Sequence, residues 1–197
     1  MSTTFTERPV PLDPPRKLWT RAECDALEAA GLLDGQHLEL IEGELINKMG
    51  KKRSHVIGLG RMLDWLKAVF GNDFVDPEAP IDVAPEDNPT NEPEPDIIVL
   101  KRERTSYPRN PRPEDLRLVV EIADTTLRFD LTTKAALYAR AGIVEYWVLD
   151  VNGKRLIVHR DPRGGVYTSV VAFGEKESVA PLSAPQAVLR VSDAFPR

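Results

Sequence analysis

Two carboxylates, each set in an apolar run, are where this sequence could do chemistry. Asp96 opens the run Pro95-Asp96-Ile97-Ile98-Val99-Leu100, and Glu121 lies inside Leu116-Arg117-Leu118-Val119-Val120-Glu121-Ile122. Apolar runs without polar alternation read as interior strands, and an acid buried in one is costly unless a cation meets it. Lys134 follows the second run, close to the start of a helical stretch. Two hard oxygen ligands and an amine directed at one point are the parts of a metal-dependent phosphodiester hydrolase. Each acid also has a plain structural reading. Asp96 could cap a turn after its proline, and Glu121 could sit in a buried ion pair with an arginine such as Arg140.

The elements around these residues follow from local pattern. Residues 1–17 are rich in proline and lack periodicity, so they read as an extended arm, with a single domain over 18–197. Thr20 and Glu23 have capping-box spacing and start a short helix that ends at Gly31. His37 to Asn47 reads as a hairpin about Glu42-Gly43, with Glu39 and Glu44 on its two arms. Ser54 to Phe70 has the apolar spacing of an amphipathic helix. Asp73 to Val83 reads as a strand or two, and the proline-rich stretch 84–95 as a loop that delivers Asp96 to its strand. Asp130 caps a helix closed by Gly142, and Ile143 to Asp150 is a further strand. This β-α-β unit returns Lys134 toward Glu121. Arg155 to Phe173 forms an antiparallel pair about Pro162-Arg163-Gly164-Gly165. Tyr138 and Trp147 occupy positions expected to face the core.

Composition narrows the function classes. A chain of 197 residues that is 42% hydrophobic and 29% charged can bury a core. No apolar stretch reaches the ~20 residues that span a bilayer, and residues 1–15 lack the pattern of a secretion signal, so the expected location is cytoplasmic, with no membrane partner. Cys24 is the sole cysteine, which excludes an internal disulfide and a cysteine-based zinc cluster. Three histidines, His37, His55 and His159, show no metal-ligand spacing. The net charge of -5 argues against a bulk electrostatic grip on nucleic acid. Local basic clusters are the alternative: Lys48, Lys51, Lys52 and Arg53, and then Lys101, Arg102, Arg104, Arg109 and Arg112. The second lies in a long proline-rich loop that reads as substrate-facing.

Glu94-Pro95-Asp96, Val119-Val120-Glu121-Ile122-Ala123-Asp124, and the stretch from Asp130 to Gly142 with Glu145-Tyr146-Trp147 resemble the Uma2 family of endonucleases, within the PD-(D/E)XK superfamily. The resemblance runs from about Leu18 to about Phe195. It implies that Asp96 and Glu121 hold Mg²⁺, for which Mn²⁺ can substitute. The superfamily's lysine usually stands two residues past the glutamate, where this chain has Ala123; the resemblance to a migrated-lysine variant gives that role to Lys134. It also places Glu39 near the metal, directly or through water. His55, Lys51, Lys52 and Arg53 are candidate substrate contacts, with a capping or packing role for His55 equally open.

The expected fold is α/β: a restriction-endonuclease-like core with a mixed central sheet flanked by helices, an extra N-terminal hairpin and C-terminal antiparallel strands. The expected activity is metal-dependent hydrolysis of DNA phosphodiester bonds by a homodimer. The alternative is a catalytically silent domain of the same fold that binds nucleic acid or a protein partner.

Overall fold

Strands that lose polar alternation need cover on both faces, and the chain supplies it. The computed structural model describes residues 16–48 and 52–195. Six strands form one sheet: β3 (Val75–Pro77), β4 (Ile97–Leu100), β5 (Leu116–Ala123), β6 (Glu145–Asp150), β7 (Arg155–Arg163) and β8 (Val166–Gly174), adjacent in that order. β5 and β6 run parallel; the other neighbours are antiparallel. Before them, β1 (Leu38–Ile41) and β2 (Glu44–Asn47) form a hairpin, and after them β9 (Ser178–Val179) pairs with β10 (Leu189–Arg190). The mixed sheet, the hairpin and the C-terminal strands are the architecture expected from the sequence.

Every residue of β4 and β6 is buried. On one face Ile98, Val119, Tyr146 and Val148 pack against Leu137 and Tyr138 of a helix. On the other, Ile97, Val120, Ile122 and Trp147 pack against Met62 and Leu66 of helix α2 (Arg53–Phe70) and against Val191 and Phe195. Glu121 shares its face with Val119 and Ala123, so strand alternation alone turns it toward the first helix.

That first helix, α3, joins β5 to β6. It runs unbroken through Leu127–Phe129, a π-helical turn over Asp130–Lys134, and Ala135–Arg140. It begins earlier than the sequence suggests. Asp130 does not cap it; from inside the helix its carboxylate accepts a 2.6 Å hydrogen bond from Thr126 Oγ1. Wide turns of this kind are rare and often mark functional sites. Here both residues that bound the turn, Asp130 and Lys134, are buried.

Helix α1 (Arg21–Ala29) has the expected capping box between Thr20 and Glu23. The β1–β2 turn places Glu42 at φ 51° and Gly43 at φ 75°, as a two-residue hairpin loop requires. Between Asp73 and Val83 only Val75–Pro77 is a strand, because Pro77 and Pro80 cannot extend the ladder. Of the expected N-terminal arm, residues 1–15 lie outside the described residues.

The basic loop differs most from expectation. β4 and β5 are antiparallel, so their connection leaves the sheet at the Leu100 and Leu116 end, away from Asp96 and Glu121. Its cations find partners there: Arg102 pairs with Asp115 at 3.3 Å, and Arg104 with Asp76 at 3.9 Å. Among the described residues, no helix is long and apolar enough to cross a membrane.

Two glycines of α2 test this packing. A Cβ on Gly58 would meet Leu149, Ile122 and Val151 at 3.2–3.3 Å, whereas one on Gly60 would meet nothing within 4 Å. Gly58→Val is expected to destabilise by about 1–3 kcal/mol through overpacking. Gly60→Ala is expected to stabilise by about 0.5–1 kcal/mol through helix propensity. Urea denaturation of both variants would check the pair.

Candidate active site

Asp96 and Glu121 meet because their strands are in register: Ile97 lies opposite Val120, so the residue before β4 falls beside Glu121. Backbone hydrogen bonds lock the two together. Ile122 N–H donates to Asp96 Oδ2 at 2.8 Å, and Asp96 N–H to Glu121 Oε2 at 3.4 Å. Lys134 reaches down from the π turn of α3. Its ammonium lies 2.9 Å from Glu121 Oε1 and 2.9 Å from Glu39 Oε1. Tyr138, one helical turn further on, donates to the same Glu121 oxygen at 3.1 Å.

Glu39 comes from β1, and the hairpin is tied down by the segment before Asp96. Glu92 N–H donates to Leu40 O at 2.7 Å, and Glu94 N–H to Glu39 Oε2 at 3.3 Å. Asn91, fully buried, accepts from Glu42 N–H at 2.7 Å and donates to Asp87 O at 2.8 Å. The proline-rich loop therefore holds the hairpin in place as well as delivering Asp96. The Glu121–Arg140 pair does not form: Arg140 instead meets Asp87 at 2.8 Å, and Glu42.

His55, on the first turn of α2, places Nε2 3.3 Å from Asp96 Oδ1. Glu39, His55, Asp96, Glu121, Asp130 and Lys134 line a cleft of about 110 Å³. It has room for an ion with a few waters or for a phosphate group. Lys48 and Lys52 lie at its edge, Lys48 held by Glu94 at 3.2 Å and Lys52 3.6 Å from Asp124. Arg53 is exposed and does not line the cleft, and Lys51 lies outside the described residues. None of the loop cations from Lys101 to Arg112 lines it.

The structure adds members that sequence reasoning missed. Asp130 was read as a cap and Tyr138 as core, yet both point toward the same cluster. Tyr138 lies four residues after Lys134, so the helical period offered a signal. Asn91 offered none, being one polar residue in a polar loop.

Four acids, Glu39, Asp96, Glu121 and Asp130, are thus buried around one amine. Burial penalises their charges, and the single ammonium does not balance them. Burial, with the nearby acids, outweighs Lys134 and pushes Glu121 up to about 8 and Asp130 up to about 6. For Asp96 burial also acts upward, but the His55 imidazole, the Ile122 N–H and Lys134 hold its carboxyl below the usual range. Burial would lower the Lys134 amine; Glu121, Glu39 and Asp130 raise it instead, so it stays charged.

A family model described as "Uma2: Putative restriction endonuclease" matches residues 22–192. The chain belongs to the Uma2 family. A solved structure of a "putative nuclease belonging to DUF820" from Anabaena variabilis ATCC 29413 is 18% identical, with a TM-score of 0.64 over 81% of this chain and 90% of that one. At that identity the likeness shows the shared fold. None of the curated proteins matches.

The residues present in this Uma2 chain suit a divalent cation. The cluster carries excess negative charge; among the described residues no three His, Cys, Asp or Glu side chains stand grouped to hold a metal ion, so a cation held by Asp96 and Glu121 would complete its coordination with water. His55 Nε2 is buried against Asp96 Oδ1 at 3.3 Å.

Two outcomes follow from the charge balance. Lys134→Met leaves Glu39 and Glu121 buried without their cation and is expected to cost about 3–5 kcal/mol, read by urea denaturation. The second concerns pH. Glu121 and Asp130 bind protons more tightly folded than unfolded, so their contribution is fully present below their ordinary values of 4.5 and 3.8 and is lost as pH rises through about 8 and about 6. Asp96 acts oppositely, but only at lower pH, and Lys134 only above its ordinary 10.5. Burial lowers the His159 imidazole, which acts oppositely as pH falls through its ordinary 6.5; with chelator, Tm is therefore expected to fall between pH 7 and 9, and Glu121→Gln to flatten that fall.

Proposed function

We propose that this chain is a divalent-metal-dependent endonuclease that hydrolyses DNA phosphodiester bonds. The observation that carries the reading is the meeting of Asp96 and Glu121 at adjacent strand ends with a buried ammonium held beside them by a second acid. The family description as a restriction endonuclease supports DNA as the substrate.

In this reading Asp96 and Glu121 hold Mg²⁺ or Mn²⁺. When bound, the cation polarises the phosphoryl oxygen, acidifies the attacking water and neutralises the leaving oxygen. The protein's own groups do the rest. Lys134, fixed on two carboxylates, presents a positive charge where negative charge develops, and a preset cation in a dry cleft needs no reorganisation to act. Glu39, whose oxygens accept from Lys134 and from the Glu94 N–H, positions the lysine and stands near the metal, directly or through water. Tyr138 donates to Glu121 Oε1, leaving Oε2 on the Asp96 side. Lys48 and Lys52, with Lys51 and Arg53 beside them in sequence, are the cations we assign to the substrate backbone. The reaction forms a bond from a water oxygen to phosphorus and breaks one ester bond, and the departing oxygen takes a proton from solvent. One such cluster acts on one strand at a time, so we propose a homodimer for cutting both strands of a duplex.

Single-stranded, duplex and branched DNA incubated with Mg²⁺ or Mn²⁺ would test this. Cleavage is expected from the wild type and should vanish with chelator. Asp96→Asn and Glu121→Gln should abolish it, and Lys134→Met should lower kcat by about 10²–10³-fold. Activity that survives Asp96→Asn and Glu121→Gln would overturn the assignment. Failure of the folded wild type to cut any of the substrates would favour a silent nucleic-acid-binding or protein-binding domain.

A further inference from the structure

The two outer edges of the six-stranded sheet are guarded unequally. On one side β3 is three residues long and ends at Pro77, which has no N–H to offer a further strand. On the other, β8 is nine residues long and contains no charge and no proline. Among the described residues no strand pairs with its outer side. Val166, Val170 and Val171 of β8 are 58%, 53% and 46% exposed. Beside them an apolar groove of about 320 Å³ runs between β8 and α3, lined by Leu131, Ala135, Ile157, Val166 and Val170. A long apolar edge is a template for another strand, and proteins that keep an edge free place charges, prolines or bulges on it.

The edge is complementary to itself. Antiparallel pairing of two β8 strands over their full length sets Val170 against Val170, Tyr167 against Phe173 and Val166 against Gly174, so apolar residues face each other and no like charges meet. The same pairing brings the turn that carries Arg163 beside Glu175, Lys176 and Glu177 of the mate, a segment of net negative charge, and does so at both ends. Parallel pairing would instead set Arg163 against its own copy. We propose that a second copy of this chain pairs antiparallel with β8, joining two six-stranded sheets into one, and that this is the interface of the proposed homodimer. One two-fold axis normal to the sheet satisfies both edges at once. The strand that carries Glu121, β5, lies three strands from β8, about 14 Å at the usual strand spacing, so the pairing leaves the cleft open. The surface stands on its own geometry; only its use in cutting a duplex rests on the nuclease reading.

Sedimentation equilibrium of the full chain reads the interface without metal or substrate. Wild type is expected at twice its 22.0 kDa. Val170→Lys sets two like charges against each other across the axis and should raise the dimer Kd at least about a hundredfold, with far-UV circular dichroism unchanged. A second variant does not depend on breaking anything. Val170→Cys should form a reducible disulfide with its own mate under mild oxidation, because opposed residues of antiparallel strands stand about 4.5–5.5 Å apart, within disulfide reach. Val188→Cys, whose native side is 61% exposed away from β8, should link far more slowly. A dimer that persists in Val170→Lys, or a Val170→Cys that links no faster than Val188→Cys, would overturn the β8 interface and leave the homodimer standing. A wild type that stays monomeric at every concentration would overturn both, while the cleavage assay decides the nuclease reading separately.

Discussion

A single buried ammonium governs this structure. Lys134 touches Glu121 on the central sheet and Glu39 on the hairpin, 2.9 Å from each, and it does so from a helix on the face of the sheet. In a low-dielectric interior such contacts are strong, but removing the charges from water is expensive, so the arrangement persists only when every partner is held in place. The surrounding architecture meets that demand. Strand register fixes Glu121 against Asp96, the segment from Asn91 to Glu94 fixes the hairpin, and the π turn brings Lys134 inward with Asp130.

Those constraints leave the cluster short of positive charge. A fold selected for stability alone would do better with apolar side chains here, since a buried ion network contributes little net stability. Four acids against one amine make sense where a further cation is to be received, and the raised proton affinity of Glu121 and Asp130 expresses the same shortage. Membership of the Uma2 family fits that chemistry. The proposed roles divide by element: the sheet offers the acids and α3 the amine.

Much of this was legible in the chain. Apolar runs of four to eight residues marked β4, β5 and β6, and Thr20-Glu23 and Glu42-Gly43 carried their cap and turn chemistry openly. Asp96, Glu121 and Lys134 stood out because an acid in an apolar run needs a cation. Less legible were features that depend on partners distant in sequence. The basic stretch from Lys101 to Arg112 reads as a substrate loop by composition, but only the antiparallel pairing of β4 with β5 decides which end of the sheet it leaves from. The place of His55 likewise depends on how closely α2 approaches the sheet at Gly58.

By itself, then, the sequence determined the elements, their faces and the residue types available for chemistry, because periodicity, capping and turn preference act over a few neighbouring residues. Tertiary structure decided which of those residues meet. The distances among Asp96, Glu121, Lys134, Glu39 and His55 come from strand register, hairpin docking and helix approach. Each of these is a balance of burial and hydrogen bonding across many residues, and no local pattern encodes it.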